Sequence, residues 1–191
     1  MASIQINIPN WLDRIFTWPV LIYRKHKYGW PFRKIYLGEG KFTIVEPQDY
    51  YRFNVFNWCP EEKGPNTYAA RVVGAPKKRT TVVSLHREIM NHPAGFLVDH
   101  KNGDGLDNRR ANLRLATRSQ NSCNSRKRAN TTSQFIGVSF HKQRRRWVAV
   151  IKYKGGKKWL GRFVNEIEAA KAYDEAAKKY HGEFARLNFQ E

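Results

Sequence analysis

Cysteine is nearly absent from this chain, which has only Cys59 and Cys123. Two thiols build no disulfide framework, and no Cys-x-x-Cys pair offers a structural zinc site. Long apolar runs are missing as well. The best, Ile15–Tyr23, falls far short of the roughly 20 residues that span a bilayer, is interrupted by Pro19, and is flanked by Asp13, Arg14, Arg24 and Lys25. It lacks the small-residue cleavage pattern of a signal peptide. Acid is scarce too: 16 Asp and Glu stand against 35 Lys and Arg, a formal net charge of +19 over 191 residues. Yet 41% of residues are hydrophobic and 14% aromatic, enough for a packed core and too many for wholesale disorder. A folded polycation repels itself unless something negative is near, and nucleic acid fits better than a membrane surface. The expectation is a reduced, soluble, cytoplasmic protein with no membrane partner.

Residues 1–33 read as an N-terminal extension. Asn10-Trp11-Leu12 opens a short helix that Pro19 and Pro31 keep from growing, and Trp11, Trp18 and Trp30 are expected to pack on a neighbouring surface. From Ile35 the pattern turns to strands around Gly38-Glu39-Gly40, a hairpin-like turn. A short helix follows Pro47, Cys59–Asn66 reads as a loop, and TYAARVVG and TTVVSLH read as strands before a short helix stopped by Pro93. Residues 34–124 thus form a β-rich region, and 125–133 a basic linker able to lie along phosphates. In 134–191, FIGVSFH, RWVAVIKYK and KWLGRFV are strands rich in β-branched and aromatic residues. Gly155-Gly156 joins the last two. Asn165 and Glu168 resemble a capping box for a helix with Ala169, Ala170, Tyr173, Ala176 and Ala177 on one face. The fold class is α+β.

Asp99-His100 ends an apolar strand, Phe96-Leu97-Val98, before a Gly- and Asn-rich loop. A carboxylate there is a hard ligand for magnesium, an imidazole titrating near neutrality can take a proton from water, and an Asn carbonyl adds a neutral oxygen. An Asp-His pair in a loop is also ordinary turn chemistry, as are Asp104 and Asp107. The glutamate that ends a calcium loop is missing, which argues against calcium.

His86-Arg87, Val98-Asp99-His100-Lys101-Asn102-Gly103-Asp104, Leu106-Asp107-Asn108-Arg109, Asn112-Leu113-Arg114, Thr117 and Asn121 resemble the HNH endonucleases, within roughly residues 80–124. The nearest group is that of phages and group I introns, in which asparagine replaces the final histidine. The resemblance implies a ββα-metal fold around one divalent cation, magnesium with manganese as the alternative, and no zinc. It makes His100 the general base, Asp99 and Asn121 the metal ligands, and Asn112 the residue that holds the ribbon loop and orients His100. His86 is expected to be structural.

Arg144, Arg145, Arg146, Lys152, Lys154, Lys157, Lys158 and Arg162 crowd the last three strands, which would leave one sheet face basic if the helix covers the other. Ile136-Gly137-Val138, Trp147-Val148-Ala149, Trp159-Leu160-Gly161-Arg162-Phe163, Glu168-Ala169-Ala170, Ala172-Tyr173-Asp174 and Leu187-Asn188-Phe189 resemble the APETALA-two/ethylene-response-factor DNA-binding domain. That likeness implies a sheet in the major groove, with Ser139, His141, Arg146, Lys152, Lys157, Trp159 and Arg162 as contacts and Trp147 packed beneath. Ile136, Ser139 and His141 replace family arginines, so no target sequence carries over.

Together these readings anticipate a metal-dependent, homing-type DNA endonuclease, nicking as a monomer or weak dimer on double-stranded DNA. No obligate protein partner is evident. Non-catalytic regulators and basic RNA-binding proteins are the alternatives.

Overall fold

A computed structural model describes residues 9–74, 80–124 and 131–189. Residues 125–130 of the expected linker lie outside them. Among the described residues the architecture is mixed α+β, with four small sheets, and the chain splits into two compact units, Met1–His92 with Asp104–Arg114 and Pro93–Gly103 with Leu115–Glu191.

In the first unit, α1 (Asn10–Tyr28) is a helix of 19 residues that runs through Pro19. The expectation of a short helix is corrected. Interior proline removes one helical hydrogen bond, but solvent can satisfy the freed carbonyl on this exposed stretch. Gly29, left-handed at φ 83°, donates its N–H to Lys25 and closes the helix. The Asp13 carboxylate accepts from Arg33 at 2.9 Å and from the Tyr51 hydroxyl at 2.7 Å. Burial pushes Asp13 up, but these hydrogen bonds outweigh it and hold the carboxyl below the usual range. The tryptophans do not pack as expected: Trp11 and Trp18 are 65% and 64% exposed. Trp30 is also exposed, with the Arg109 guanidinium 4.1 Å over its ring.

β1 (Arg33–Gly38) and β2 (Lys41–Val45) form a hairpin whose turn residues, Glu39 and Gly40, both have positive φ, as tight hairpins require. α2 (Pro47–Phe53) begins on proline, which needs no N–H partner at that position, and the Trp58 indole donates to the Phe53 carbonyl at 2.8 Å. The segment expected to be a loop contains a strand, β3 (Cys59–Lys63), paired with β4 (Asn66–Val73). Pro60 is tolerated because β3 is the edge of the β3-β4-β5 sheet. β5 (Thr81–Ser84) leads into α3 (Leu85–Ile89), which buries Leu85, His86 and Ile89.

β6 (Leu97–His100) and β7 (Leu113–Ala116) make a two-stranded ribbon. α4 (Arg118–Cys123) follows, opened by a full capping box between Thr117 and Gln120. In the second unit, β8 (Val138–His141), β9 (Arg146–Tyr153) and β10 (Gly156–Phe163) form an antiparallel sheet in the order β10-β9-β8. α5 (Glu166–His181) lies on it, and Val138, Ala149, Ile151, Ala169, Ala170, Tyr173 and Ala177 make the core. Asn165 caps α5 by accepting from Ile167 N–H at 2.8 Å.

Candidate functional site

The polar loop of the first unit is a fastener. Leu106 O accepts from Ile44 N–H at 2.9 Å and from the Thr43 hydroxyl at 2.7 Å, and Asn108 N–H returns a bond to Ile44 O at 2.8 Å. The Asn108 amide, fully buried, donates to Thr43 Oγ1 at 2.7 Å. Asp107 takes both Nε and an Nη of Arg109, and Arg110 grips Asp49 with two bonds of 2.8 Å. Bidentate pairs fix geometry as well as charge. Asp104 accepts from Leu106 N–H at 3.0 Å, a turn bond. Asn112 is buried where a short 3₁₀ turn (Arg110–Asn112) meets β7, and donates to Asp107 O at 2.8 Å. The Asp107–Arg110 run therefore ties this loop to β2 and α2.

In the second unit, Val98, Asp99 and His100 are buried at the end of β6. The Asn124 amide, one residue past α4, donates to both oxygens of Asp99 at 3.1 Å and to His100 O at 2.8 Å. Gly103 N–H also donates to His100 O at 2.8 Å, closing the turn after the strand. Asn121 is half-buried on α4, which packs on β6. It precedes Asn124 by three residues. Sequence reasoning named Asn121 and missed Asn124. The available signal was that same Asn-x-x-Asn spacing. Among the described residues no three His, Cys, Asp or Glu side chains gather. β6 carries the Asp99 carboxylate and the His100 imidazole, and α4 carries the Asn121 amide. Carboxylate and amide oxygens are ligands that a hard cation takes while keeping several waters.

The seven residues nominated on the C-terminal sheet fall on one face. Directly opposed residues share a face, and the register pairs Ser139 and Arg162 with Val148, Trp159 with Val150, Lys157 with Lys152, and His141 with Arg146. All seven are exposed, Trp159 by 52%. The alternate residues, Trp147 among them, pack toward α5. Lys158 belongs to that other side and donates to the Tyr180 hydroxyl at 2.8 Å.

Comparison with known proteins finds family models for two segments of the chain. Residues 91–123 match a family model described as HNH endonuclease, and residues 133–183 one described as AP2 domain. Protein 3.8 of Escherichia phage T7 is 32% identical over 95 residues, covering 50% of this chain and 78% of that protein. Dehydration-responsive element-binding protein 2A of Arabidopsis thaliana is 54% identical over 46 residues, 23% of this chain and 14% of its own length. Ethylene-responsive transcription factor ERN1 of Medicago truncatula is 37% identical over 103 residues, 53% of this chain. The chain spans less than a third of either plant factor, 14% and 32%. No solved structure matches. No helix among the described residues is long and apolar enough to cross a membrane.

Proposed function

We propose, from the premise that the chain belongs to the family of phage T7 protein 3.8 and carries HNH endonuclease and AP2 segments, that it is a metal-dependent, homing-type DNA endonuclease. One observation supports the reading: Asp99 and His100 end a strand against which α4, the helix that carries Asn121, packs, while Asn124 bonds to Asp99 and to His100 O. His100 takes the proton of the attacking water. The water oxygen bonds to phosphorus, the bond to the 3′ oxygen breaks, and that oxygen leaves and acquires a proton. The products are a 5′ phosphate and a 3′ hydroxyl. Asp99 and Asn121 would hold one divalent cation, magnesium, whose chemistry there is neutralisation of charge on the phosphate and the departing oxygen. Asn112, which donates to Asp107 O at 2.8 Å, holds the loop in this reading. Ser139, His141, Arg146, Lys152, Lys157, Trp159 and Arg162 dock the sheet in a major groove.

A single active site per chain makes nicking the expected outcome. Supercoiled plasmid should relax to nicked circles with magnesium and stay intact with EDTA or with His100→Ala. Tight DNA binding without cutting, equal in wild type and variant, would instead make the protein a non-catalytic regulator.

A further inference from the structure

Helix α1 is attached to its unit by the wrong side for an amphipathic helix. Asp13 and Thr17 bond to Arg33 at 2.9 and 3.2 Å, and Arg24 donates to Phe32 O at 2.6 Å. No residue of the helix is buried. The far side carries Trp11, Ile15, Trp18 and Ile22 at the 4-3-4 spacing of a coiled-coil seam. Their exposures run from 48% at Ile22 to 65% at Trp11. Surface helices ordinarily turn such a stripe to the core. At roughly 150–250 Å² for a large side chain, these fractions leave about 500 Å² of apolar surface, so two such faces together reach the ~1,000 Å² that a specific interface needs.

We propose that this face pairs with the same face of a second copy of the chain, helices antiparallel about a two-fold axis. Such an interface is self-complementary: Trp11 meets Ile22 of the partner, and Ile15 meets Trp18. Charge selects the orientation. Lys25, His26 and Lys27 cluster in the last turn. Parallel pairing would set two such clusters side by side, whereas antiparallel pairing separates them and aligns the helix dipoles favourably. With a chain charge of +19, self-association is opposed by repulsion that salt screens, so the dimer strengthens as salt is added. Contact with an anionic lipid surface would weaken instead.

Sedimentation equilibrium of the full chain, free of nucleic acid, should give twice the 22.4 kDa chain mass, with the dimer fraction rising with salt. Ile15→Glu combined with Ile22→Glu should return the monomer mass while leaving the circular dichroism and DNA affinity unchanged. In a Cys59→Ser background, mixing Trp11→Cys chains with Ile22→Cys chains should yield oxidised cross-links that neither variant forms by itself. A monomer at every concentration, or a dimer that survives the glutamates, overturns the proposal. So does flotation of wild type, but not the glutamate variant, with phosphatidylglycerol vesicles. Mass does not depend on cleavage, so failure here leaves the nuclease reading standing.

Discussion

Asn124 spends one amide group on three acceptors, both oxygens of Asp99 and the carbonyl of His100. If Asp99 holds the proposed cation, Asn124 is the outer residue that orients it, because a carboxylate gripped from one side keeps its remaining lone pairs aimed elsewhere. Asn124→Ala should therefore raise the magnesium concentration for half-maximal nicking by about 10- to 100-fold, with saturated activity less affected. A residue that merely held the fold would lower activity at every magnesium concentration alike, so a plasmid-nicking titration separates the roles. Asn124→Asp puts a second carboxylate against Asp99 and should not rescue. This residue also marks a limit of sequence reading. Asp99, His100 and Asn121 stand out through the resemblance to HNH endonucleases, since an Asp-His pair in a loop is by itself ordinary turn chemistry. Asn124 makes no chemistry of its own, and its role appears only when α4 brings it back to the end of β6.

Gly137 precedes β8 in the left-handed region, at φ +73°, and a Cβ there would run into the Tyr173 ring and come within 2.8 Å of Val150 O. Tyr173 is core, its hydroxyl pushed up to about 12 chiefly by burial, so it cannot swing into solvent. Gly137→Ala combines a backbone penalty with overpacking and should cost about 2–4 kcal/mol. Gly155, at φ +80° with nothing within 4 Å, bears only the backbone part, so Gly155→Ala should cost about 1–2 kcal/mol. Urea melts of the two variants test the difference, and equal losses would remove the steric argument. The elements around these glycines were legible because β8, β9, β10 and α5 have strong periodicity and clear turns. α1 was not, because local rules stop a helix at Pro19, whereas polar docking through Asp13, Thr17 and Arg24 sits on both sides of the proline. β3 was missed for a related reason: Pro60 and charged neighbours read as loop, and only pairing with β4 makes them an edge strand.

Across the whole molecule, the excess of 35 basic over 16 acidic residues was the most legible feature and the least specific. Total charge draws a protein to any polyanion, but affinity at a site depends on which cations reach phosphates. At physiological salt the Debye length is about 8 Å, so a lysine on the far side of the C-terminal domain adds little to binding on the near side. Lys152 and Lys157 are cross-strand partners on the face opposite α5, while Lys171 and Lys179 are exposed on α5 itself. Changing either pair to alanine lowers the net charge by the same two units. If the sheet face meets the backbone of duplex DNA, Lys152→Ala with Lys157→Ala should flatten the plot of log affinity against log salt by about 1.8, or ~0.9 for each phosphate no longer neutralised. Lys171→Ala with Lys179→Ala should leave the slope near that of wild type. Trp159→Ala, on the same face but uncharged, should weaken binding at every salt concentration without changing the slope. Fluorescence anisotropy across a salt series checks all three, and equal flattening by the two lysine pairs would mean that bulk charge, not this face, sets the affinity.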